Sequence, residues 1–164
     1  MESNNSNTFN IDKENNIIGV EKTFLAPLEV VWDAWTKSEI LDQWWAPRPW
    51  KAVTKDMSFT EGGQWVYCME GPEGESIWGK AVFNNIRIYD SFDAVDVFID
   101  EGEIENHELP TLLWKISFKE SYDKTIVTIK LKLDSYADVD KIMEMGFKEG
   151  FEAALGNLEE LLKQ

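Results

Sequence analysis

Read for apolar and polar positions alone, the chain falls into three parts. Residues 17–26 mix β-branched and aromatic side chains, as strands do, and the run stops at Pro27, which can open a helix because its missing N–H would be unpaired there anyway. In the helix that follows, Leu28, Val31, Trp32 and Trp35 share one stripe at the 3.6-residue period. Ser38 then offers an N-cap to a second short helix with Ile40, Leu41 and Trp44 on one face, closed by the prolines of "APRP". The middle of the chain alternates with period two, as antiparallel strands do. Trp65, Tyr67 and Met69 oppose Val66 and Cys68, and "GPEG" turns the chain into the run from Ile77 to Tyr89, followed by "SFDAVDVFI". The clearest alternation is late: Leu112, Trp114, Ile116 and Phe118, then Val127, Ile129, Leu131 and Leu133, with lysines and threonines opposite. Such a sheet buries one face and wets the other.

The last part, "ADVDKIMEMGFKEGFEAALGNLEELLKQ", reads as one long amphipathic helix begun at Ser135 or Asp138. Its apolar stripe contains Met143, Phe147, Gly150, Phe151, Ala154, Leu158, Leu161 and Leu162. Gly150 and Ala154 make the helix slim where it crosses the first half of the sheet. At the other end, residues 1–16 hold six asparagines and only Phe9 and Ile11 to bury, a composition that predicts a disordered tail before a single folded domain over 17–164.

This order of elements is that of the α+β helix-grip fold, a curved antiparallel sheet of about seven strands wrapped around a long C-terminal helix, with two short helices after the first strand. The segments "TFLAPLEVVWDAWTKSEILDQWWAPRPW", "EGGQWVYCMEGPEG", "PTLLWKISF" and "MGFKEGFEAALGNLEELL" resemble, in this order, the motifs of the heat-shock protein 90 ATPase activator-like proteins of the START-like superfamily. The resemblance covers residues 17–164. It implies a cavity between the long helix and the concave sheet face; the superfamily puts that cavity to use in carriers, cyclases and a co-chaperone domain, and fold alone does not choose among them.

Five of the eight tryptophans lie between Trp32 and Trp50. Burying one indole removes some 200 Å2 from water, worth up to about 5 kcal/mol, against a net stability of only about 5 to 15 kcal/mol. Most of them therefore belong inside. Trp44 and Trp45 are about 100° apart on a helix, so at most one points straight into the core. The other is the candidate for a cavity rim. With the resemblance, this gives an expected ligand-binding set of Trp35, Trp44, Trp65, Tyr67, Met69, Trp78, Trp114, Met143, Phe147, Gly150, Phe151 and Ala154. The expected ligand is a small hydrophobic or aromatic molecule.

Charge and chemistry narrow the remaining classes. The balance of 31 acidic against 16 basic residues, net −15, disfavours nucleic acid and anionic membranes as partners. No apolar run approaches the ~18 residues of a membrane span, and neither a secretory leader nor a disulfide partner for Cys68 is visible, so a cytoplasmic monomer is the expectation. One histidine, His107, and one cysteine do not make a metal site, and no cofactor motif is present. The acidic run Asp100–Glu108 reads as a solvated loop. Asp96 interrupts the alternation of Phe92, Ala94 and Phe98; it is expected at a strand end or bulge, facing water. Two further readings stay open. A chaperone-binding module requires an apolar surface around Trp45 and Trp50. An enzyme of the cyclase or hydrolase kind, the less favoured of the two, requires Asp96, Tyr67, Arg87 or Lys80 inside the cavity.

Overall fold

The structure, a computed structural model, describes residues 7–163. Eight strands form one antiparallel sheet: β1 (Asn7–Asp12), β2 (Ile17–Phe24), β3 (Lys51–Met57), β4 (Gln64–Glu70), β5 (Ser76–Arg87), β6 (Ser91–Ile99), β7 (Leu112–Ser121) and β8 (Lys124–Lys132). The order across the sheet is β1-β2-β8-β7-β6-β5-β4-β3. Helices α1 (Leu28–Thr36) and α2 (Ser38–Trp44) join β2 to β3, and α3 (Tyr136–Glu144) and α4 (Phe147–Leu161) follow β8. This is the helix-grip arrangement.

Period-two patterning sets the register wherever one face is buried. Trp114 pairs with Leu131, Ile116 with Ile129 and Phe118 with Val127, so the inward residues of β7 and β8 sit directly opposite one another. All six are buried. Trp32 of α1 meets this face through edge-on contacts with Phe92 and Phe118 at 5.8 and 5.0 Å between ring centroids. Trp44 is fully buried, and its indole N–H donates to the Ala34 carbonyl at 2.8 Å. Asn157 of α4, itself buried, donates to the Ala46 carbonyl at 3.1 Å and locks the end of α2 to the C-terminal helix.

Among the elements themselves, the structure departs from the sequence reading in three places. Residues 7–12 form an edge strand where a tail is expected, while residues 1–6 lie outside the described residues. Six backbone pairings with β2, from Asn7 opposite Lys22 to Asp12 opposite Ile17, hold it there, and Phe9 and Ile11 are half-buried against the core. A composition argument cannot see that a neighbouring strand has a free edge. The C-terminal helix is two helices. Gly146, at φ +89°, turns the chain between α3 and α4, a conformation that suits glycine. Ser135 caps α3 by accepting the Asp138 N–H at 3.2 Å, whereas Ser38 is the first residue of α2 and not its cap. The acidic loop is largely exposed, yet it is pinned to the sheet by Lys55–Glu103 at 2.9 Å and Lys80–Glu105 at 3.3 Å.

Candidate functional site

A cavity of about 350 Å3 lies between α4 and the sheet. Its deep end is buried and aromatic: Trp45, Tyr67, Trp114 and Phe151, with Leu112, Ile142 and Asp96. Trp50, Met69, Phe98 and Phe147 are half-buried around the entrance, and Ile77 and Met145 stand exposed at the rim.

Each wall has a local cause. On β5, Gly79 and Ala81 present almost no side chain to the concave face. A Cβ on Gly79 would stand 2.7 Å from both Cζ and Oη of Tyr67, so only glycine lets that ring lie across β5. The Tyr67 ring is stacked on Trp65 at 4.2 Å, and the Trp65 N–H is fixed by donation to Thr54 Oγ1 at 3.0 Å. The phenol is thereby aimed at β6, where it donates to Asp96 at 3.0 Å to Oδ2 and 3.3 Å to Oδ1. On the helix side Gly150 leaves the room: its Cβ would meet only Pro47 Cγ, at an ordinary 3.7 Å. Phe147 and Phe151, one turn apart and stacked at 5.3 Å, close that wall together with Trp114.

Asp96 corrects the expectation that it faces water. It continues the inward series Phe92, Ala94 and Phe98, opposite Ala81 on one side and Leu112 on the other, and is 6% exposed. Burial pushes its carboxyl up to about 7, and donation from Tyr67 offsets this only in part. The Trp114 indole N–H also favours the charged form but falls short of full hydrogen-bond geometry, so Tyr67 is the group that donates outright. The same burial, and the negative charge of Asp96, hold the Tyr67 hydroxyl well above its ordinary range, so it stays a donor.

Of the expected site residues, Tyr67, Met69, Trp78, Trp114, Phe147, Gly150 and Phe151 lie along the cavity. For Trp78 this is the least direct: strand alternation sets it opposite Gly79, and its ring carries the Lys55 ammonium 5.9 Å from the centroid. Trp35, Trp44, Trp65, Met143 and Ala154 are not among the lining residues. Trp35 and Trp65 border a separate void of about 30 Å3 behind Trp45. Trp44 is packed 4.8 Å from Trp35, so Trp45, just past the end of α2, takes the place expected of Trp44. Met143 is half-buried on α3, and Ala154 is buried one turn beyond Gly150. Trp45 was legible only as an alternative. The glycine inside "IWGKAV" was a usable signal for a close approach on β5, and with it for Tyr67 and Asp96. Lys80 is paired with Glu105, and neither it nor Arg87 lines the cavity. Among the described residues no three His, Cys, Asp or Glu side chains are grouped to hold a metal, and no helix is long and apolar enough to cross a membrane.

Comparison with known proteins places this geometry. The family model described as Activator of Hsp90 ATPase homolog 1-like protein matches residues 25–163. Protein Ms6760 from Mycobacterium smegmatis, seen in a crystal structure, is 26% identical with a TM-score of 0.89 over 96% of this chain and 97% of that one. A protein from Arthrobacter aurescens, solved by NMR, is 28% identical with a TM-score of 0.91 over 95% and 91%. Another from Staphylococcus epidermidis is 27% identical with a TM-score of 0.82 over 94% and 93%. No curated protein matches the chain.

Proposed function

We propose, from the premise that this chain belongs to the Activator of Hsp90 ATPase homolog 1-like family, that it binds a small, mainly apolar molecule between α4 and the sheet. The observation that carries this reading is the aromatic cavity itself, whose size is that of ordinary small-molecule sites and whose wall has few polar groups. Gly150, whose missing side chain has only Pro47 nearby, keeps it from being filled from the helix side. The test is a calorimetric titration of the protein with methylnaphthalene, beside Gly150→Leu. Binding by the wild type that Gly150→Leu abolishes supports the reading; a wild type that takes up no such hydrocarbon contradicts it.

The apolar surface required of a chaperone-binding module is not supported at Trp45, which is buried, and Trp50 is half-buried. Asp96 favours a second reading, general acid–base catalysis in the same cavity, because a carboxyl near neutrality is matched to proton transfer at cellular pH. Turnover of a cyclisable or hydrolysable aromatic substrate that Asp96→Asn abolishes would support it; equal turnover by Asp96→Asn would refute it.

A further inference from the structure

The deep end of the cavity carries more chemistry than an apolar ligand needs. Among the described residues that line it, Asp96 and Tyr67 are the only ionisable groups, and none is Lys, Arg or His. Tyr67 has one proton to give and gives it to Asp96. Toward an occupant the pair is therefore an acceptor: an ionised carboxylate has about four lone-pair positions, and one phenol cannot fill them. The neighbours across the sheet, Ala81 on β5 and Leu112 on β7, add no polar side chain. A buried carboxylate without a cation is costly, and an ammonium group is the partner that removes the cost.

We infer that the occupant is an organic ammonium, an apolar or aromatic body bearing one protonated amine, with the amine seated on Asp96 and the body against the ring walls. The inference rests on the cavity reading above and deepens it. Three further observations converge on it. The aromatic residues Trp45, Trp50, Tyr67, Trp114 and Phe151 line the same cavity as the carboxylate, and aromatic rings attract cations that approach their faces. Polarity increases inward, from the exposed Ile77 and Met145 at the rim to Asp96 at the bottom, which orients such a molecule head first. The net charge of −15 concentrates cations and repels anions around the whole protein. A fatty acid or an organic phosphate would bring a second negative charge up to Asp96, with no cationic side chain among the described lining residues to offset it.

Ammonium binding also depends on pH through Asp96. The groups facing it are Tyr67 from β4, Gly79 and Ala81 from β5, Leu112 and Trp114 from β7, Trp45 after α2, and Phe147 and Phe151 from α4, and of these Tyr67 alone titrates. Because burial holds the Asp96 carboxyl at about 7, the anchor is formed as pH rises through neutrality.

The experiment is a calorimetric titration of the full chain, at a salt concentration that screens the surface charge, with three ligands sharing one ring system: naphthylmethylammonium, methylnaphthalene and naphthylacetate. The ammonium should bind about tenfold tighter than the hydrocarbon, as a cation on aromatic faces beside a carboxylate does, and the acetate weakest of the three. The preference of ammonium over hydrocarbon should grow from about pH 6 to about pH 8 and then level off, following the ionisation of a group near neutrality. In Asp96→Asn the ratio should fall well below the wild-type value and lose its dependence on pH, since the anchor charge is gone. An ammonium that binds no better than the hydrocarbon, a preference for the acetate, or a ratio that survives Asp96→Asn overturns the inference and leaves the cavity reading standing. Failure of all three ligands to bind overturns both. Should Asp96→Asn not fold, the wild-type ratio and its pH profile decide.

Discussion

At the scale of single residues, the site rests on three positions that need each other. Gly79 makes room for the Tyr67 ring, the ring carries a hydroxyl to Asp96, and the hydroxyl is what a buried carboxylate at that depth requires. Gly79→Ala forces the ring away and should destabilise the protein by about 1 to 3 kcal/mol, the usual cost of overpacking. A double-mutant cycle checks the cause: Tyr67→Phe should cost clearly less in the Gly79→Ala background than alone, because the hydroxyl there has already lost Asp96. Equal costs in both backgrounds would separate Gly79 from the pair. Asp96 also makes stability depend on pH. Its carboxyl titrates at about 7 when folded and near 3.8 when unfolded, so as pH rises between these values the unfolded chain releases a proton that the folded chain still holds. Its contribution is whole below the lower value and is lost on the way to the upper one. Asp96→Asn escapes that loss. Measured by urea unfolding, its stability relative to wild type should rise by on the order of 3 kcal/mol between about pH 5 and about pH 8; a flat difference would mean that the carboxyl is not desolvated.

At the scale of elements, α4 is the plug that does not fill the hollow. Gly150 and Ala154 look equivalent in the sequence, two small residues one turn apart, but they do different work. Gly150 faces the cavity with Pro47 Cγ as its one near neighbour, whereas Ala154 is packed at 1% exposure. Gly150→Leu should therefore fold with its stability changed by less than about 1 kcal/mol, while Ala154→Leu should lose about 1 to 3 kcal/mol to overpacking. Thermal unfolding of the two variants compares them directly, and equal losses would mean that Gly150 faces packed side chains. This difference shows how far the chain could be read unaided. Periodicity is a property of one element, so the inward faces of β7, β8 and α1 were legible from Trp114, Ile129 and Val31. Which residues border empty space depends on two elements at once. Trp44 and Trp45 show the limit: both are buried, and only the Ala34 carbonyl, which takes the Trp44 N–H, decides which indole is left for the cavity. Asp96 was misplaced for the same reason, since its partner Tyr67 lies two strands away. The break at Gly146 was readable in principle, a glycine between two apolar stripes, but a continuous helical period hides it.

At the scale of the whole molecule, an eight-stranded sheet wraps a C-terminal helix pair, one group of aromatic side chains fills the packed half, and another lines a hollow with one carboxyl at its floor. The tail expected over residues 1–16 is partly a strand that completes the sheet edge, which widens the fold without touching the site. The surface is strongly acidic, and the interior charge has the same sign. Both features act on the same class of small molecule, one at long range and one on contact. The packed and open halves of the molecule are each marked by tryptophans, and their indole N–H resonances can be followed one by one. Titrating the labelled protein with methylnaphthalene should shift the indole signals of Trp45, Trp50 and Trp114, which border the hollow, and leave those of Trp32 and Trp44 where they are. If the three stay fixed at saturating hydrocarbon, or Trp32 and Trp44 move in their place, the space between α4 and the sheet is not a binding cavity.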